Sequence, residues 1–474
     1  LLAGCGPAST SRAVIRLPLE GAFNPDPTQA RTIPQVWVDS LLYDGLVKFD
    51  PSMHVVPDLA VALPSISNDG TEYDFTIRSG VRFADGRALS AADVVFSLNR
   101  ALLTVGGSES SGSTGVQSGA LLDRAPSMSE VLSVRSTGLY GIRIRLSRPD
   151  SAFLAKLALP ASSVLDRTAV RAGGRWWLRG AGTGGFVLHK VDRDIWLTAN
   201  PHYFDGQMRI SGIELLPTRS ASGATRLSGS DRLDATPVRA ASYAKLSANP
   251  EFSWTDTTRV FYLNLSALPS GDERTALDQA LDRSRISLLG ANVDPSTTIV
   301  PPTVPDYPAI SDPYSYDPIA AAGILRGTKF HLTGSAMAPP QVVGWLLQSW
   351  RRAGARIHIR QASGGTVSVF QDDILLPDAG LWLSRVGRNL QGESSKAAFD
   401  QLVQSGDAVD GSANPIAQDS LLNSAEGYLL QHSFVVPLAI EKQGYLIAPR
   451  LHGLTPTPIG LEPANDNWSS ITWD

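Results

Sequence analysis

The sequence lacks a long hydrophobic run, a second cysteine and a concentration of basic residues. A helix that crosses a bilayer needs about 20 apolar residues, and no stretch of the 474 residues provides them. The only cysteine, Cys5, cannot form a disulfide within the chain. The 41 basic and 45 acidic residues give a net charge of −4, and the arginines are scattered rather than arranged in a basic stripe. Nucleic acid is therefore not expected as a partner.

The sequence also lacks the motifs that an enzyme would need. Its seven histidines are far apart and none belongs to an H-E-x-x-H pattern, so a catalytic zinc site is not expected. No G-x-S-x-G nucleophile elbow occurs. The glycine-rich stretch 180–185 precedes a strand-like segment rather than a helix, which argues against a phosphate-binding loop. We expect a protein without catalytic residues, resident metal or cofactor.

The length and composition indicate a globular protein with more than one structural unit. With 43% hydrophobic and 18% charged residues, the chain can bury a large core. A single core seldom serves more than about 250 to 300 residues, so two or three subdomains are expected. A Gly- and Ser-rich insertion at 104–119 predicts a surface loop.

The first residues predict a lipid anchor. Leu2, Ala3 and Gly4 precede Cys5, and a polar segment of small residues follows it. This order resembles the lipobox of bacterial lipoproteins, in which the chain is cut before a cysteine that is then acylated. The resemblance implies that Cys5 is the lipidation site and that residues 1–12 are a lipobox remnant and tether. A chance match of common residues is the alternative.

Strand and helix patterns are clearest between residues 68 and 100. Asp69 and Gly70 favour a hairpin turn, and the segment after them alternates apolar and polar residues as a half-buried strand does. Ser90, followed three residues later by Asp93, approximates the capping box at the start of a helix. Local pattern thus accounts for these residues, and we expect them to determine the fold rather than to bind a ligand.

Several stretches resemble the peptide- and nickel-binding receptors of ABC importers, the extracytoplasmic solute-binding protein family 5. They are YDGLV at 43–47, PDLA at 57–60, NDGTEYDFTIRSGVRF at 68–83, DGRALSAADVVFSLNR at 85–100 and GAGTGGFVL at 180–188. The resemblance is strong over 41–100 and 180–206 and weak over 207–440. The last stretch has Gly185 where the family usually has proline.

The resemblance implies an α/β fold, the two-lobed periplasmic-binding-protein fold of type II in its large cluster C form, with an extra subdomain. Lobe I would comprise residues 13–45, 175–235 and 447–474, the extra subdomain II would comprise 46–174, and lobe III would comprise 236–446. In lobe III the alternation of helical and strand patterns predicts parallel sheets.

The same resemblance implies a function in uptake. A monomer, held outside the cytoplasm by its N-terminal lipid, would capture a small or peptide-like solute between its lobes and deliver it to the membrane subunits of the importer. Two alternatives stay open. One is an interaction or chaperone-like lipoprotein that keeps the fold without transport, and the other is nickel capture through one histidine and a chelator.

Ligand-binding residues are expected where the family's peptide receptors carry a tryptophan motif whose aspartate pairs with the amino terminus of the ligand. Trp382 matches the tryptophan, but Arg385 and Arg388 stand where acidic residues should follow. Because arginine favours carboxylate or phosphate, we expect a solute with an anionic group. If the alignment slips by a few residues, both arginines would instead lie on the surface.

Two further candidates lie near the predicted cleft in the first lobe. Trp37 belongs to a predicted helix over 34–46, and Arg31 precedes that helix. Side chains of these types more often lie in a core or on a surface than in a binding site.

Overall fold

The computed structural model describes residues 14–30, 32–105, 128–191, 194–218, 233–238, 242–290, 292–360, 366–373, 376–391, 393–407 and 415–474. Cys5 and Arg31 lie outside these residues, and so does most of the predicted loop at 104–119.

The first part of the chain contains short strands and four helices. In order they are β1 Val14–Glu20, α1 Ile33–Leu42, β2 Val47–Phe49, β3 Val55–Pro57, β4 Ser65–Ile66, β5 Glu72–Thr76, α2 Ala91–Val105, β6 Val131–Ser136, β7 Gly141–Leu146, α3 Phe153–Leu157 and α4 Arg167–Arg171.

The middle part alternates strands and helices less regularly. It contains β8 Phe186–Val191, β9 Ile195–Ala199, β10 Gly212–Thr218, β11 Ala235–Val238, α5 Tyr243–Leu246, β12 Phe252–Asn264, α6 Gly271–Gln279, β13 Val293–Pro295, α7 Pro318–Leu325, β14 Lys329–Thr333, α8 Pro340–Arg352, β15 Arg356–Ile359 and β16 Val367–Asp373.

The last part begins with three helices and ends in strands. They are α9 Ala379–Arg388, α10 Glu393–Asp407, α11 Pro415–Gln431, β17 Val435–Ile447, β18 Leu451–His452, β19 Leu454–Thr457, β20 Gly460–Pro463 and β21 Thr472–Trp473. Short 3-10 helices connect some of these elements.

The segments predicted to form lobe I contain a four-stranded sheet in the order β1-β10-β9-β8. Its core combines residues from both ends of the chain, because Ile15 and Trp37 pack with Phe186, Trp468 and Ile471. The ring of Phe186 meets that of Trp468 edge to face at 5.5 Å. The lobe therefore cannot be completed until the C-terminal segment has returned to it.

Subdomain II is built on an antiparallel sheet in the order β4-β5-β7-β6, with α2 against it. Tyr73 and Phe75 of β5 are buried, as the alternating pattern predicts. The backbone N–H and the hydroxyl of Ser90 both donate to Asp93, at 3.0 and 2.7 Å. One half of the capping box at the start of α2 is thus present, and the N–H of Asp93 donates to the carbonyl of Ser90 at 2.9 Å.

Lobe III contains a seven-stranded sheet in the order β11-β17-β12-β16-β14-β15, with β13 beside β17. Helices α6, α7 and α8 cover one face around Trp350, and α9, α10 and α11 cover the other around Trp382. Among the pairings described in this sheet, β14 runs parallel to β15 and β16, whereas the others are antiparallel. The prediction of parallel sheets is therefore wrong for most of the lobe, because β17 must return the chain to lobe I beside the entering strand.

The glycine-rich stretch 180–185 is a packing turn against the end of α1. The N–H of Gly184 donates to the carbonyl of Leu42 at 3.1 Å, and α1 ends there, earlier than predicted. A Cβ on Gly184 would lie 2.5 Å from the carbonyl carbon of Leu42, which leaves no room for a side chain. Asn200 fixes the turn by donating to the Gly184 carbonyl at 2.8 Å.

A group of carboxylates surrounds Lys48 where lobe I meets subdomain II. The ammonium lies 3.1 Å from Asp466 and 3.9 Å from Asp58. Burial raises the pKa of Asp44 to about 6, and the charge of Asp205 adds to this. Burial, with the nearby charge of Asp466, also raises the pKa of Glu462 to about 7. One ammonium group therefore serves more carboxylates than it can neutralise.

We predict that Gly184→Ala lowers the free energy of unfolding by about 1 to 3 kcal/mol, because its Cβ would press on the backbone of α1. Gly344→Ala is the matched control. Gly344 lies inside α8 with open space around it, so alanine should stabilise the protein by about 0.5 to 1 kcal/mol. Urea unfolding of both variants measures the difference. Equal behaviour of the two variants would contradict the packing role of the turn.

We also predict that Glu462→Gln flattens the dependence of stability on pH. A carboxyl whose folded pKa is raised contributes stability that is complete below its unfolded pKa and is lost as pH rises through about 7. The wild type should therefore lose about 3 kcal/mol from this group between about pH 4 and 8.

Urea unfolding across that pH range tests the expectation, with Glu251→Gln as the control in a partly exposed turn. An unchanged pH profile in Glu462→Gln would refute it.

Candidate functional site

The three units meet at an apolar seam, which we call the interlobe seam. Its buried members are Ala30, Val36 and Ile459 of lobe I, Phe49, Met53, Ala155 and Leu159 of subdomain II, and Leu376 of lobe III. Leu376 is only 4% exposed, and the half-buried Leu381 packs beside it. A short segment of lobe III, from β16 into α9, thus provides the apolar contact with the other two units at the seam.

A polar contact crosses the seam next to these apolar side chains. The hydroxyl of Ser151 in subdomain II donates to Asp378 at 3.2 Å. Asp378 is also the N-cap of α9, because it accepts from the N–H of Leu381 at 2.8 Å. Burial raises the pKa of Asp378, and the nearby charge of Asp150 acts in the same direction. The aspartate therefore both starts the helix and holds the neighbouring unit.

A second polar contact between subdomain II and lobe III is made by His54. Its ring nitrogens lie 3.2 Å from Asp50 of its own unit and 3.4 Å from Asp306 of lobe III. When protonated, the histidine can donate to both carboxylates at once. The two polar contacts flank the apolar part of the seam.

Helix α9 presents two different faces. Trp382, Leu383 and Val386 point into the core of lobe III. Leu381, Arg385 and Arg388 follow one another at the spacing of a single helix face. Because Leu381 packs against the seam, the two arginines lie along the stripe that continues from the seam.

Arg385 belongs to a hydrogen-bonded network on this stripe. Its Nε donates to Asp372 at 2.6 Å, and Asp372 also accepts from the hydroxyl of Tyr262. Asn389 donates to the same hydroxyl oxygen at 2.9 Å. Burial and then the charge of Asp372 raise the pKa of Tyr262. The guanidinium is 33% exposed, and its remaining N–H groups have no partner among the residues that the structure describes.

A further charged network lies where the strands cross between the lobes. Arg259 of β12 contacts Asp373 at 3.0 Å and Glu441 at 2.8 Å. Burial raises the pKa of Glu441, and the charges of Asp373 and of Glu20, at the end of β1 in lobe I, add to it. The carboxylates of this network therefore carry more charge than Arg259 compensates.

A separate pocket of about 760 Å³ opens on the surface of lobe III. It lies between α10, α11 and the segment around Ile310, and its polar lining includes Asp419 and Asn423. Burial and the charge of Asp306 raise the pKa of Asp419. Since all of its lining residues belong to lobe III, movement of the lobes would not close this pocket around a ligand.

The structure places the candidates from the sequence in different environments. Trp382 is 0% exposed, and its indole N–H has no hydrogen-bond partner among the described residues. Trp37 is buried in lobe I and donates to the carbonyl of Leu461 at 2.8 Å. Arg385 is half-buried beside the seam and Arg388 is exposed one turn later. Arg31 and Cys5 lie outside the described residues. The ligand contacts proposed for the two tryptophans and three arginines stay predictions, and so does the lipidation of Cys5.

The sequence did not single out Ser151, Asp378, Asp372 or Tyr262. Asp378 could have been found from its position three residues before the apolar stretch of α9, which is an N-cap pattern. The others carry no local signal, because their partners are distant in sequence. Within the described part of the chain no three or more His, Cys, Asp or Glu side chains are grouped as metal ligands. No described helix has the length and apolarity needed to span a membrane.

Comparison with known proteins places this geometry in a family. The family model described as "Bacterial extracellular solute-binding proteins, family 5 Middle" matches residues 54–361. A probable di/tripeptide-binding protein of Pseudomonas aeruginosa is 28% identical over 363 residues, which cover 69% of this chain and 67% of that protein. Heme-binding protein A of Haemophilus influenzae is 26% identical over 480 residues, which cover 89% and 85%.

Solved structures show the same fold. HbpA2 of Haemophilus parasuis aligns over 98% of this chain and 100% of its own with a TM-score of 0.80, at 18% identity. The expected two-lobed periplasmic-binding-protein fold is thereby confirmed. The relatives are binding proteins and not enzymes, as the sequence predicts. The chain belongs to the bacterial extracellular solute-binding proteins of family 5 and has the substrate-binding role of that family.

Proposed function

We propose that the chain is the solute-binding lipoprotein of an ABC importer and closes its lobes on a peptide-like solute that carries a carboxylate. The observation that carries this proposal is the stripe Leu381, Arg385 and Arg388, which continues from the interlobe seam along α9. An importer receptor needs a surface of this kind, with apolar contact area and a few polar groups that orient the ligand.

The charge of Arg385 supports an anionic group on the solute. Arginine offers a planar set of N–H donors that matches a carboxylate, and Asp372 engages only Nε. The relatives are named for di/tripeptides, a murein peptide, heme and glutathione, all of which carry carboxylates at neutral pH. Asp372 would hold the guanidinium in position while the other donors bind the solute.

Movement of the lobes would couple binding to delivery. The contacts Ser151 to Asp378 and His54 to Asp306 join subdomain II to lobe III, so they can form only when these units approach each other. A solute that adds contacts to the closed form shifts the population toward it. The membrane subunits of the importer would then recognise a monomer in its closed form, without a cofactor.

The predicted boundaries of lobe I, subdomain II and lobe III remain part of the proposal. They are supported by hydrophobic cores that are largely separate, although Leu165 and Ala169, within the predicted subdomain II, pack into the core of lobe I. A solute would be enclosed beside the seam between these cores, along the stripe of Arg385 and Arg388.

We predict that Arg385→Ala weakens binding of a tripeptide with a free carboxyl terminus by about 10- to 100-fold, because a charge-assisted hydrogen bond contributes about 1.5 to 3 kcal/mol. Isothermal titration calorimetry should show that amidation of the peptide's carboxyl terminus removes most of this difference between variant and wild type. Arg388→Ala is measured beside it. Arg285→Ala, which removes another exposed arginine of lobe III, is the matched control.

Arg385→Lys separates ligand recognition from folding, because it keeps a charge beside Asp372 but loses the planar set of donors. Its affinity should fall between that of the wild type and that of the alanine variant. Wild-type affinity in both Arg385→Ala and Arg388→Ala would remove the anionic-solute proposal. Absence of any retained solute in native mass spectrometry, with no binding from a broad library, would favour the interaction or chaperone-like alternative.

The anchor is tested independently. We predict that protein made in bacteria with a lipoprotein signal sequence enters the detergent phase of a Triton X-114 partition, and that Cys5→Ser moves it to the aqueous phase. Acyl chains drive this partition because each buried methylene contributes about 0.8 kcal/mol. Mass spectrometry of the N-terminal peptide should show the acylated cysteine. Equal partition of both proteins would exclude Cys5 as the anchor.

A further inference from the structure

Residues 318–371 contain no aspartate or glutamate, although the whole chain has a net charge of −4. The Lys and Arg residues in this segment are Arg326, Lys329, Arg351, Arg352, Arg356 and Arg360. The arginines look scattered in the sequence as a whole. Within this segment, however, no acidic residue lies between them to balance their charge.

The fold brings five of these cations to one end of lobe III. Lys329 and Arg356 are paired residues on the adjacent parallel strands β14 and β15. Arg351 and Arg352 form the last turn of α8, which ends just before Gly354. The N–H of Gly327, next to Arg326, donates to the Gly354 carbonyl at 3.0 Å. Arg360 extends the group along the edge strand β15. We call these six side chains the basic face.

The basic face is exposed and not neutralised. All six side chains are exposed, and within the described part of the chain none of them forms an ion pair. Desolvation, and after it the charge of Arg360, lower the pKa of His331 on β14. The positive charge of the basic face thus acts on the histidine beside it.

Helix α7 adds an apolar surface to the basic face. It has no charged or polar side chain from Pro318 to Leu325, and Ala321 and Leu325 are buried. On its outer side Ile319 is 86% exposed and Ile324 is 41% exposed. A helix on the surface of a globular protein ordinarily turns polar residues to water, so the exposed side of α7 needs another explanation.

We propose that the basic face, together with the outer side of α7, binds the anionic phospholipid surface of a membrane. Arginine and lysine attract anionic headgroups, and exposed aliphatic side chains enter the boundary between headgroups and acyl chains. Ile324 lies two residues before Arg326, so both kinds of side chain meet at the same end of lobe III.

The observations favour lipid over other acidic partners. The face combines cations with exposed aliphatic side chains, and neither the six cations nor α7 includes an aromatic residue, whereas the cores of protein interfaces are enriched in aromatic residues. A nucleic-acid surface would leave the isoleucines of α7 without a partner. The inference rests on the proposed function in one respect, since a receptor that delivers to a membrane importer works next to lipid.

Vesicle flotation tests the proposal with the full chain carrying Cys5→Ser, so that an acyl anchor cannot contribute. Phosphatidylcholine vesicles are compared with vesicles that contain about 30 mol% phosphatidylglycerol. The protein should bind the anionic vesicles alone, and binding should fall steeply between about 0.05 and 0.5 M salt. Because each Arg or Lys contributes about fivefold, Arg351→Gln/Arg352→Gln/Arg356→Gln should lower the partition coefficient by about 100-fold.

The matched control is Arg135→Gln/Arg175→Gln/Arg209→Gln, which removes the same charge from exposed arginines elsewhere and should bind like the wild type. Ile319→Ser should weaken binding without changing thermal stability, because its side chain is almost fully exposed. Equal binding to neutral and anionic vesicles, or an equal loss in the control triple variant, would overturn the proposal.

Solute binding by the same proteins keeps this inference apart from the proposed function. If the variants of the basic face bind solute normally but the wild type ignores anionic vesicles, the membrane inference fails alone. If vesicles are bound but no solute is, the proposed receptor function fails while the lipid-binding face stands.

Discussion

The pairing of β17 with β11 and β12 is the interaction on which the two-lobed arrangement depends. The chain enters lobe III through β11 and leaves it through the end of β17, and these two segments are neighbours in one antiparallel ladder. Asp234 fixes the entry point in lobe I, since it accepts from the backbone of Arg16 at 2.7 Å and from Arg450 at 3.1 Å. Two adjacent strands can bend together without opening either hydrophobic core, which is the property that a hinge requires.

The polar contacts that join the other units of this arrangement are few. Apart from the apolar seam, the described polar contacts between subdomain II and lobe III are Ser151 with Asp378 and His54 with Asp306. Asp306 is highly exposed, and exposed ion pairs of this type contribute about 0 to 1 kcal/mol. Under the proposed function, contacts of this strength would guide closure but hold it only weakly, so a bound solute would decide the balance between open and closed forms.

The net charge of the whole chain does not reveal the basic face of lobe III. A chain with nearly equal numbers of acids and bases looks unremarkable as a whole. In lobe III the arginines of the seam and hinge are paired, Arg385 with Asp372 and Arg259 with Asp373, whereas those of the basic face have no described acidic partner. The same residue type thus has a structural role at the hinge and is open to a partner at the far end of the lobe.

Local sequence determined the elements whose energetics are local. The cap that Asp93 places on the N–H of Ser90 and the alternation along β5 depend on residues close in the chain, and the structure contains both. The glycine turn at 184 depends instead on a distant partner, the carbonyl of Leu42. The family resemblance also led to the correct fold, because its stretches coincide with these elements. Prediction failed for the direction of most strands in lobe III, since pairing direction depends on where the chain must return.

Only the tertiary structure decided which side of α9 meets the core and which meets the seam. The sequence placed Trp382 and Arg385 together as candidate ligand contacts, but a helix separates them by its rotation, so one is buried and the other is half-exposed. The partners Ser151 and Asp378 are 227 residues apart, and no short-range pattern links them. The sequence therefore determined the fold and the kind of receptor, whereas contacts between distant segments decided the groups that a solute can reach.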